Sequence, residues 1–519
     1  MKTYLGIELG STRIKAVLIN EDFTIAAQGG FDWQNKFEDG FWTYSLDDVW
    51  GGLRESFASL IDDYREKYKK FPQISCIGIS AMMHGYLVFD SNDNQLTPFR
   101  TWRNTTTGQA AEILTESFGF NIPQRWSVAH VYQAILNGET HVNEISFITT
   151  LAGYIHYKLT GEKALGLGDA SGVFPLESNL LDYNPAMLGK FDELTLKANV
   201  KWSFRDILPK ALMVGANAGN LTEAGAKLLD PTGELKGGIP LCPPEGDAGT
   251  GMVATNSIAP RTGNVSAGTS IFAMLVLERV LSRVYHEIDM VTTPTGSPVA
   301  MVHCNNCTSD FDAWVKVFGE AATRLGAQFS TTQLYDVMYS AALEGDKNGG
   351  GIVSCNYISG EHLTGFHEGR PLVVRRTDST FTLPNFTRTL LFSAMATLKI
   401  GMDILIDNED VKIRELLGHG GLFKTKLAGQ TLMAGALNTP VAVMESAGEG
   451  GAWGIALLAA YANQHSKNES LEDFLDNKVF ADSARTCIRP DAADVSGFEE
   501  YLRSYKAVLA VERAAVENL

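Results

Sequence analysis

A glycine followed by hydroxyl residues, set between two apolar strand-like runs, occurs twice in this chain, near its start and just past its middle. The first turn is Glu8-Leu9-Gly10-Ser11-Thr12-Arg13-Ile14-Lys15, directly after Tyr4-Leu5-Gly6-Ile7. The second is Val265-Ser266-Ala267-Gly268-Thr269-Ser270, followed by Ile271-Phe272-Ala273-Met274. Glycine lets backbone N–H groups turn toward an anion with no Cβ in the way, and Ser and Thr hydroxyls add donors. One such turn is only a hairpin. Two, heading halves of similar size, imply a duplicated fold that grips a polyphosphate from both sides.

At 519 residues the chain is too long for a single core, and we divide it into two domains, 1–254 and 255–519. The cut falls in a Gly- and Pro-rich stretch (Gly238, Pro240, Pro243, Pro244, Gly246), as expected of functional loops at a boundary. A formal charge of −17 argues against a nucleic-acid partner, which needs a basic face. A phosphorylated small molecule needs only a few local cations and amides. The start runs straight into a strand with an early acid, unlike a signal peptide. No stretch is read as approaching the roughly 18 apolar residues of a membrane helix. Six scattered cysteines fit reduced thiols, and hence the cytoplasm, better than a disulfide framework. His303-Cys304-Asn305-Asn306-Cys307 could be a zinc half-site, but no second pair stands at ligand spacing. A buried strand end turning into a loop is the better reading.

The opening reads as three strands, at 3–9, 13–20 and 23–28, the last after an Asn20-Glu21-Asp22 turn. Val49, Trp50, Leu53, Phe57, Leu60, Ile61 and Tyr64 recur at helical spacing, which predicts a helix over 46–69 with Ser45 and Asp48 as a capping box. A buried strand follows at 74–79. The second half repeats the plan, with a long helix over 388–406, a glycine turn at 418–421 and a small-residue helix over 451–462.

No P-loop pattern GxxxxGK[ST] occurs, nor a Rossmann GxGxxG. Gly246-Asp247-Ala248-Gly249 is sharper. Its aspartate sits where a strand turns into a helix, and it either faces a cleft as a proton acceptor or merely caps the helix. His84, in Met82-Met83-His84-Gly85, lies past the strand at 74–79 as a ligand or as a structural histidine. Trp102-Arg103-Asn104 suits a sugar, whose C–H face packs on the ring while its hydroxyls find polar partners. A half-buried core tryptophan is the alternative.

Together these residues resemble the FGGY carbohydrate kinases, relatives of actin, hexokinase and the chaperone ATPases. The resemblance covers nearly the whole chain. Glu8–Lys15 is similar to the family's first phosphate motif, DxGTxxxK. Met83-His84-Gly85 is similar to the MHG of xylulokinase-like members, and Trp102-Arg103-Asn104 to their WND segment. Leu159-Thr160-Gly161-Glu162 with Asp169-Ala170-Ser171-Gly172 resembles LTGE…DASG. Gly246-Asp247 matches the catalytic GD and Gly268-Thr269-Ser270 the second phosphate turn. Gly418-His419-Gly420-Gly421 is similar to the adenosine-binding glycines, and Glu449, Ala452, Gly454, Ala456 and Ala459 to the ExxAxGxAxxA helix.

The resemblance implies an α/β fold of two actin-like, ribonuclease H-like domains, each a duplicated βββαβα core, with a cleft between them. The first domain would bind sugar and hold the base, and the second would bind ATP, the two closing over both substrates. Asp247 would be the catalytic base and Glu8 the metal residue, acting on Mg²⁺ through its waters. Ser11, Thr12, Lys15, Gly268 and Thr269 would hold the phosphates, and Gly420 and Gly421 the adenosine. Met83, His84, Trp102, Arg103 and Asn104 would bind the sugar. Sugar and ATP are the expected partners, with no nucleic acid and no membrane, and a homodimer is the family's habit.

Departures from the pattern are Glu8 for aspartate, Met82 for glutamine, Asn104 for aspartate, Thr106 for arginine and Leu422 for a third glycine. Three of them surround the sugar residues. A ketopentose such as D-xylulose or L-ribulose is the first reading. Another polyol, sugar acid or deoxysugar is the second, and a nucleotide-binding regulatory protein that has lost transfer is the third.

Overall fold

In the computed structural model, which describes residues 2–425, 427–444 and 450–519, the chain forms two compact units. The first comprises Met1–Ile258, Asp289–Val299 and Glu449–Asp482, and the second Ala259–Ile288, Ala300–Gly448 and Ser483–Leu519.

The first unit is built on a five-stranded sheet with the order Glu245–Gly246, Ile74–Ala81, Thr3–Leu9, Arg13–Asn20, Ile25–Asp32. Its first two pairings are parallel and its last two antiparallel. The alternation of Thr3–Leu9 explains both faces, because side chains of a strand point to opposite sides. Leu5, Ile7 and Leu9 point into a core with Val49, Leu53, Phe57 and Leu60 of the helix Leu46–Tyr68. Burying each such side chain contributes roughly 1.5–3 kcal/mol. Ser45 caps this helix by accepting from Asp48 N at 3.1 Å, and Lys69 ends it in the left-handed conformation.

On the other face, Tyr4, Gly6 and Glu8 meet the helix Gly450–Gln464. A Cβ on Gly6 would lie 2.2 Å from the Ala452 carbonyl oxygen, and one on Gly78 2.6 Å from that of Ile455. A Cβ on Gly454 would likewise lie 2.1 Å from the carbonyl oxygen of Thr250, in the helix Asp247–Ala254. The small residues of the 450–464 helix are therefore a packing requirement: helix backbone lies directly on strand backbone. Glu449 lies outside the described residues.

The second unit repeats the pattern. Val441–Met444 pairs parallel with Glu415–Gly420, which pairs parallel with Thr262–Ala267, which pairs antiparallel with Ile271–Val276. The second Gly-hydroxyl turn thus occupies the position in this sheet that the first holds in its own. This is the duplicated α/β core expected of an actin-like fold. The long helix spans Leu383–Asp403 and runs into a π-helical turn at Ile404–Asn408. Contrary to the sequence reading, Leu383–Asn408 is long and apolar enough to cross a membrane, with a mean hydropathy of 1.6. Its interspersed Thr, Ser and Gly hid the run, and 72% of that window is buried as a core helix would be. Cys304 and Cys307 are buried where the strand Pro298–Cys304 runs out into a loop.

Candidate active site

The hairpin Gly10–Arg13 is held from beneath by its carbonyls. Gly10 O accepts from Trp33 Nε1 at 2.8 Å, Ser11 O from the Tyr44 hydroxyl at 2.5 Å and Thr12 O from Trp33 N at 3.1 Å. Trp33 and Tyr44 are themselves stacked, centroids 4.1 Å apart. With its carbonyls engaged, the turn presents N–H groups and the exposed Thr12 hydroxyl, the polarity an anion requires. The second hairpin follows the same logic. Gly268 O accepts from Thr308 N at 3.1 Å and from the Thr308 hydroxyl at 3.0 Å, and Thr269 O from Cys307 N at 3.0 Å. Thr269 is exposed.

Gly420 ends the neighbouring strand opposite Ala267. Its φ of 96° belongs to glycine, and a Cβ there would stand 2.4 Å from the Ala267 carbonyl oxygen. Gly421 next to it opens a short turn in which Leu422 is fully buried. The substitution of leucine for a third glycine is therefore a core packing choice.

Asp247 is the first residue of the helix Asp247–Ala254, and the cap is Gly246. The capping alternative falls accordingly. Its Oδ1 accepts from Met83 N at 3.2 Å and from its neighbour Ala248 N at 3.0 Å. Burial raises its carboxyl above the usual carboxylate range, and those two amides oppose the rise. The Met83 bond ties the carboxylate to the loop that carries His84.

His84 is buried with φ 69°, its Nδ1 3.2 Å from the Gly172 carbonyl oxygen. Burial, with the Arg125 guanidinium next, pushes its imidazole down to about 3, so the ring is neutral. A neutral ring facing a carbonyl donates from Nδ1, which leaves Nε2 an acceptor. Arg125 is itself paired with Asp289, and Asn121 donates to the same carboxylate at 3.2 Å.

Trp102 is 37% exposed, and its indole donates to the Ser11 hydroxyl at 3.2 Å, joining it to the first hairpin. The Arg103 guanidinium lies 4.0 Å over the Trp42 ring. Asn104 is buried: it accepts from Trp42 N at 2.8 Å and donates to the Trp42 and Thr101 carbonyls, both at 2.9 Å. Thr106 is exposed and Met82 buried.

Glu8 stands opposite Lys15 and beside Ser80 in the sheet. Burial and then the Asp247 charge push it up to about 7, against Ala452 N–H and Lys15. Among the described residues no cluster of three or more His, Cys, Asp or Glu could hold a metal by itself. Glu8, which feels the Asp247 charge, would be the residue to hold a hydrated Mg²⁺ through its waters.

Two acids given no role in the sequence reading complete the site. Glu245 is buried, and its Oε2 accepts from Asp169 N at 3.0 Å. Cβ atoms on Gly166 or Gly168 would collide with that carboxyl, at 2.1 and 2.5 Å. Asp169, also buried, accepts from the Thr150 hydroxyl at 2.6 Å. Burial, reinforced by the Asp247 charge, pushes Asp169 up to about 7, and burial, reinforced by the Asp169 charge, pushes Glu245 up to about 8. The position of Glu245 beside Gly246-Asp247 was the only sequence signal for it.

The family model described as the FGGY family of carbohydrate kinases, N-terminal domain, matches residues 3–240, and the corresponding C-terminal domain matches 263–463. The chain is 22% identical over 405 residues to a xylulose kinase of Haemophilus influenzae, covering 76% of this chain and 77% of that one. Among solved structures, the xylulose kinase of Rhodospirillum rubrum superposes with a TM-score of 0.78 at 17% identity, covering 98% of each chain. The gluconate kinase of Lactobacillus acidophilus does so at 0.80 and 16%, also covering 98% of each. At these identities the superpositions establish the fold.

Proposed function

The chain belongs to the FGGY family of carbohydrate kinases, sugar kinases that use ATP as co-substrate, and we propose that its acceptor is a ketopentose of the D-xylulose or L-ribulose type, phosphorylated at a terminal hydroxyl. The observation that supports transfer at this site is the Met83–Asp247 hydrogen bond, which ties the candidate sugar loop to the carboxylate, and similarity to xylulose kinases supports the ketopentose. In this reading Asp247 takes the proton of the attacking hydroxyl as its oxygen bonds to the γ-phosphorus. The bond from that phosphorus to the bridging oxygen breaks, and ADP leaves. Such transfer is mainly positioning and charge stabilisation, with one carboxylate to orient the nucleophile.

The remaining assignments follow the same chemistry. Ser11, Thr12, Lys15, Gly268 and Thr269 hold phosphates, and Gly420 and Gly421 let adenosine approach the backbone. His84 Nε2 accepts from a sugar hydroxyl, and Trp102 packs on the sugar's C–H face beside Arg103. Asn104 acts through the Trp42 backbone it pins. Glu8 would hold Mg²⁺ through its waters, and the ion would supply neutralisation of phosphate charge when bound. Asp289 already cancels the Arg125 charge beside His84, which favours a neutral sugar over a sugar acid. The sugar-binding part is assigned to residues 1–254 and the ATP-binding part to 255–519. We assign the enzyme to the cytoplasm, with a homodimer as the family's habit.

A coupled ADP-release assay across pentuloses, hexuloses, polyols and sugar acids tests the proposal. The highest kcat/KM is expected on a ketopentose. A clear preference for a sugar acid or polyol replaces it with the second reading.

A further inference from the structure

Glu8 is one methylene longer than the aspartate of the family motif, and the structure shows where that methylene goes. Glu8 Oε2 accepts from Ala452 N at 3.0 Å, in the first turn of the helix Gly450–Gln464. The residue before it, Gly451, has no side chain, and a Cβ there would lie 2.2 Å from Glu8 Oε1 and 2.8 Å from the Thr250 hydroxyl. The carboxylate thus occupies the space a side chain at 451 would need. The φ of Gly451 is not in the left-handed region, so backbone conformation does not explain the glycine.

We infer that Glu8 and Gly451 are a compensated pair, in which residue 451 determines which acid position 8 can carry and Glu8 is a positioning residue for the 450–464 helix. One of the helix's four unpaired N-terminal amides is satisfied by this carboxylate, in the charge-favourable direction of the helix dipole. The same bond fixes the carboxylate that faces Asp247. The helix already rests on Gly6 and Gly78, so strand, acid and helix end form one rigid seat. The inference holds whether or not Glu8 also faces a metal.

A double-mutant cycle with readouts independent of phosphoryl transfer tests it. Gly451→Ala should lower Tm, and lower it much less in a Glu8→Asp background, where the shorter carboxylate leaves room for the methyl group. Thr250 remains in contact, so recovery is partial. Equal Tm losses in both backgrounds overturn the pairing. Because Gly451→Ala alone can fail to fold, hydrogen exchange at Ala452 supplies a second measure in the single Glu8 variants. Glu8→Asp should speed exchange of that amide at least about tenfold, the equivalent of one charge-assisted hydrogen bond. Glu8→Gln, which keeps length and an acceptor but loses the charge, should speed it less than Glu8→Asp does. An Ala452 amide indifferent to Glu8→Asp refutes the positioning role. Failure of the kinase reading would leave both measurements intact.

Discussion

The backbone amide of Met83 donates to the carboxylate of Asp247 across 3.2 Å, so the loop carrying His84 and the candidate base cannot move independently. The carboxylate arrives from a helix start and the amide from a strand end, brought together by the parallel pairing of Glu245–Gly246 with Ile74–Ala81.

Removing the base tests its role first. Asp247→Ala should lower kcat by roughly 10²–10⁴, the usual worth of a positioned general base. ATP binding, measured with a non-hydrolysable analogue, should change little. Unaltered turnover would remove Asp247 from the chemistry.

The acid limb of the activity profile should report the same carboxylate. Asp247 must be ionised to accept a proton, and burial raises its carboxyl above the ordinary 3.8. Activity should therefore rise with pH through a midpoint above that value. A kcat/KM profile flat down to the ordinary carboxylate range would contradict it.

Glu245 should leave a signature in stability against pH. Its folded-state value, about 8, lies above the ordinary 4.5, so the folded protein binds the proton more tightly than the unfolded chain. That contribution is complete below 4.5 and is lost as pH rises through about 8. Glu245→Gln stays neutral and should flatten the fall of Tm across this window. An unchanged slope would show that Glu245 does not titrate there.

Gly420→Ala should damage the second hairpin. The φ of 96° with ψ of −174° at Gly420 is a region essentially reserved for glycine, and a residue with a Cβ there costs about 1–3 kcal/mol before the contact with the Ala267 carbonyl is counted. Lower Tm and at least about tenfold weaker binding of an ATP analogue are expected, since 1.4 kcal/mol is tenfold in affinity.

Trp102 and Asn104 should separate by phenotype although they are two residues apart. Asn104→Ala strips partners from half-buried Trp42 and buried Thr101 backbone groups and should lower Tm, at a cost of about 1–3 kcal/mol. Trp102→Ala, at a partly exposed ring, should raise the sugar KM with little effect on Tm. The reverse pattern would exchange their roles.

Much was legible in the chain because its causes are local. The strand–turn–strand at 3–20 follows from alternation and glycine, the helix Leu46–Tyr68 from periodicity and the Ser45 cap, and the Gly246-Asp247 turn from its flanks. Repetition of such patterns was enough to indicate the duplicated core, and motif order was enough to indicate the family.

Other features depend on residues far apart in sequence meeting in space. The sequence marks a small-residue helix over 451–462, yet only the packed structure shows it lying on Gly6 and Gly78 in the first unit, where a Cβ would collide with helix backbone. Local pattern could not single out Glu245, nor show that Asp169 of the Asp169-Ala170-Ser171-Gly172 motif is a buried acid; their raised carboxyls come from burial and a neighbouring charge. Nor could it show that Asn104 is committed to the Trp42 backbone. Sequence alone determined the first strand–turn–strand, the helix after Ser45 and which acid opens the first turn. Tertiary structure decided what that acid touches, because a hydrogen bond from Ala452 and the empty volume at Gly451 exist only once both ends of the chain have been folded together.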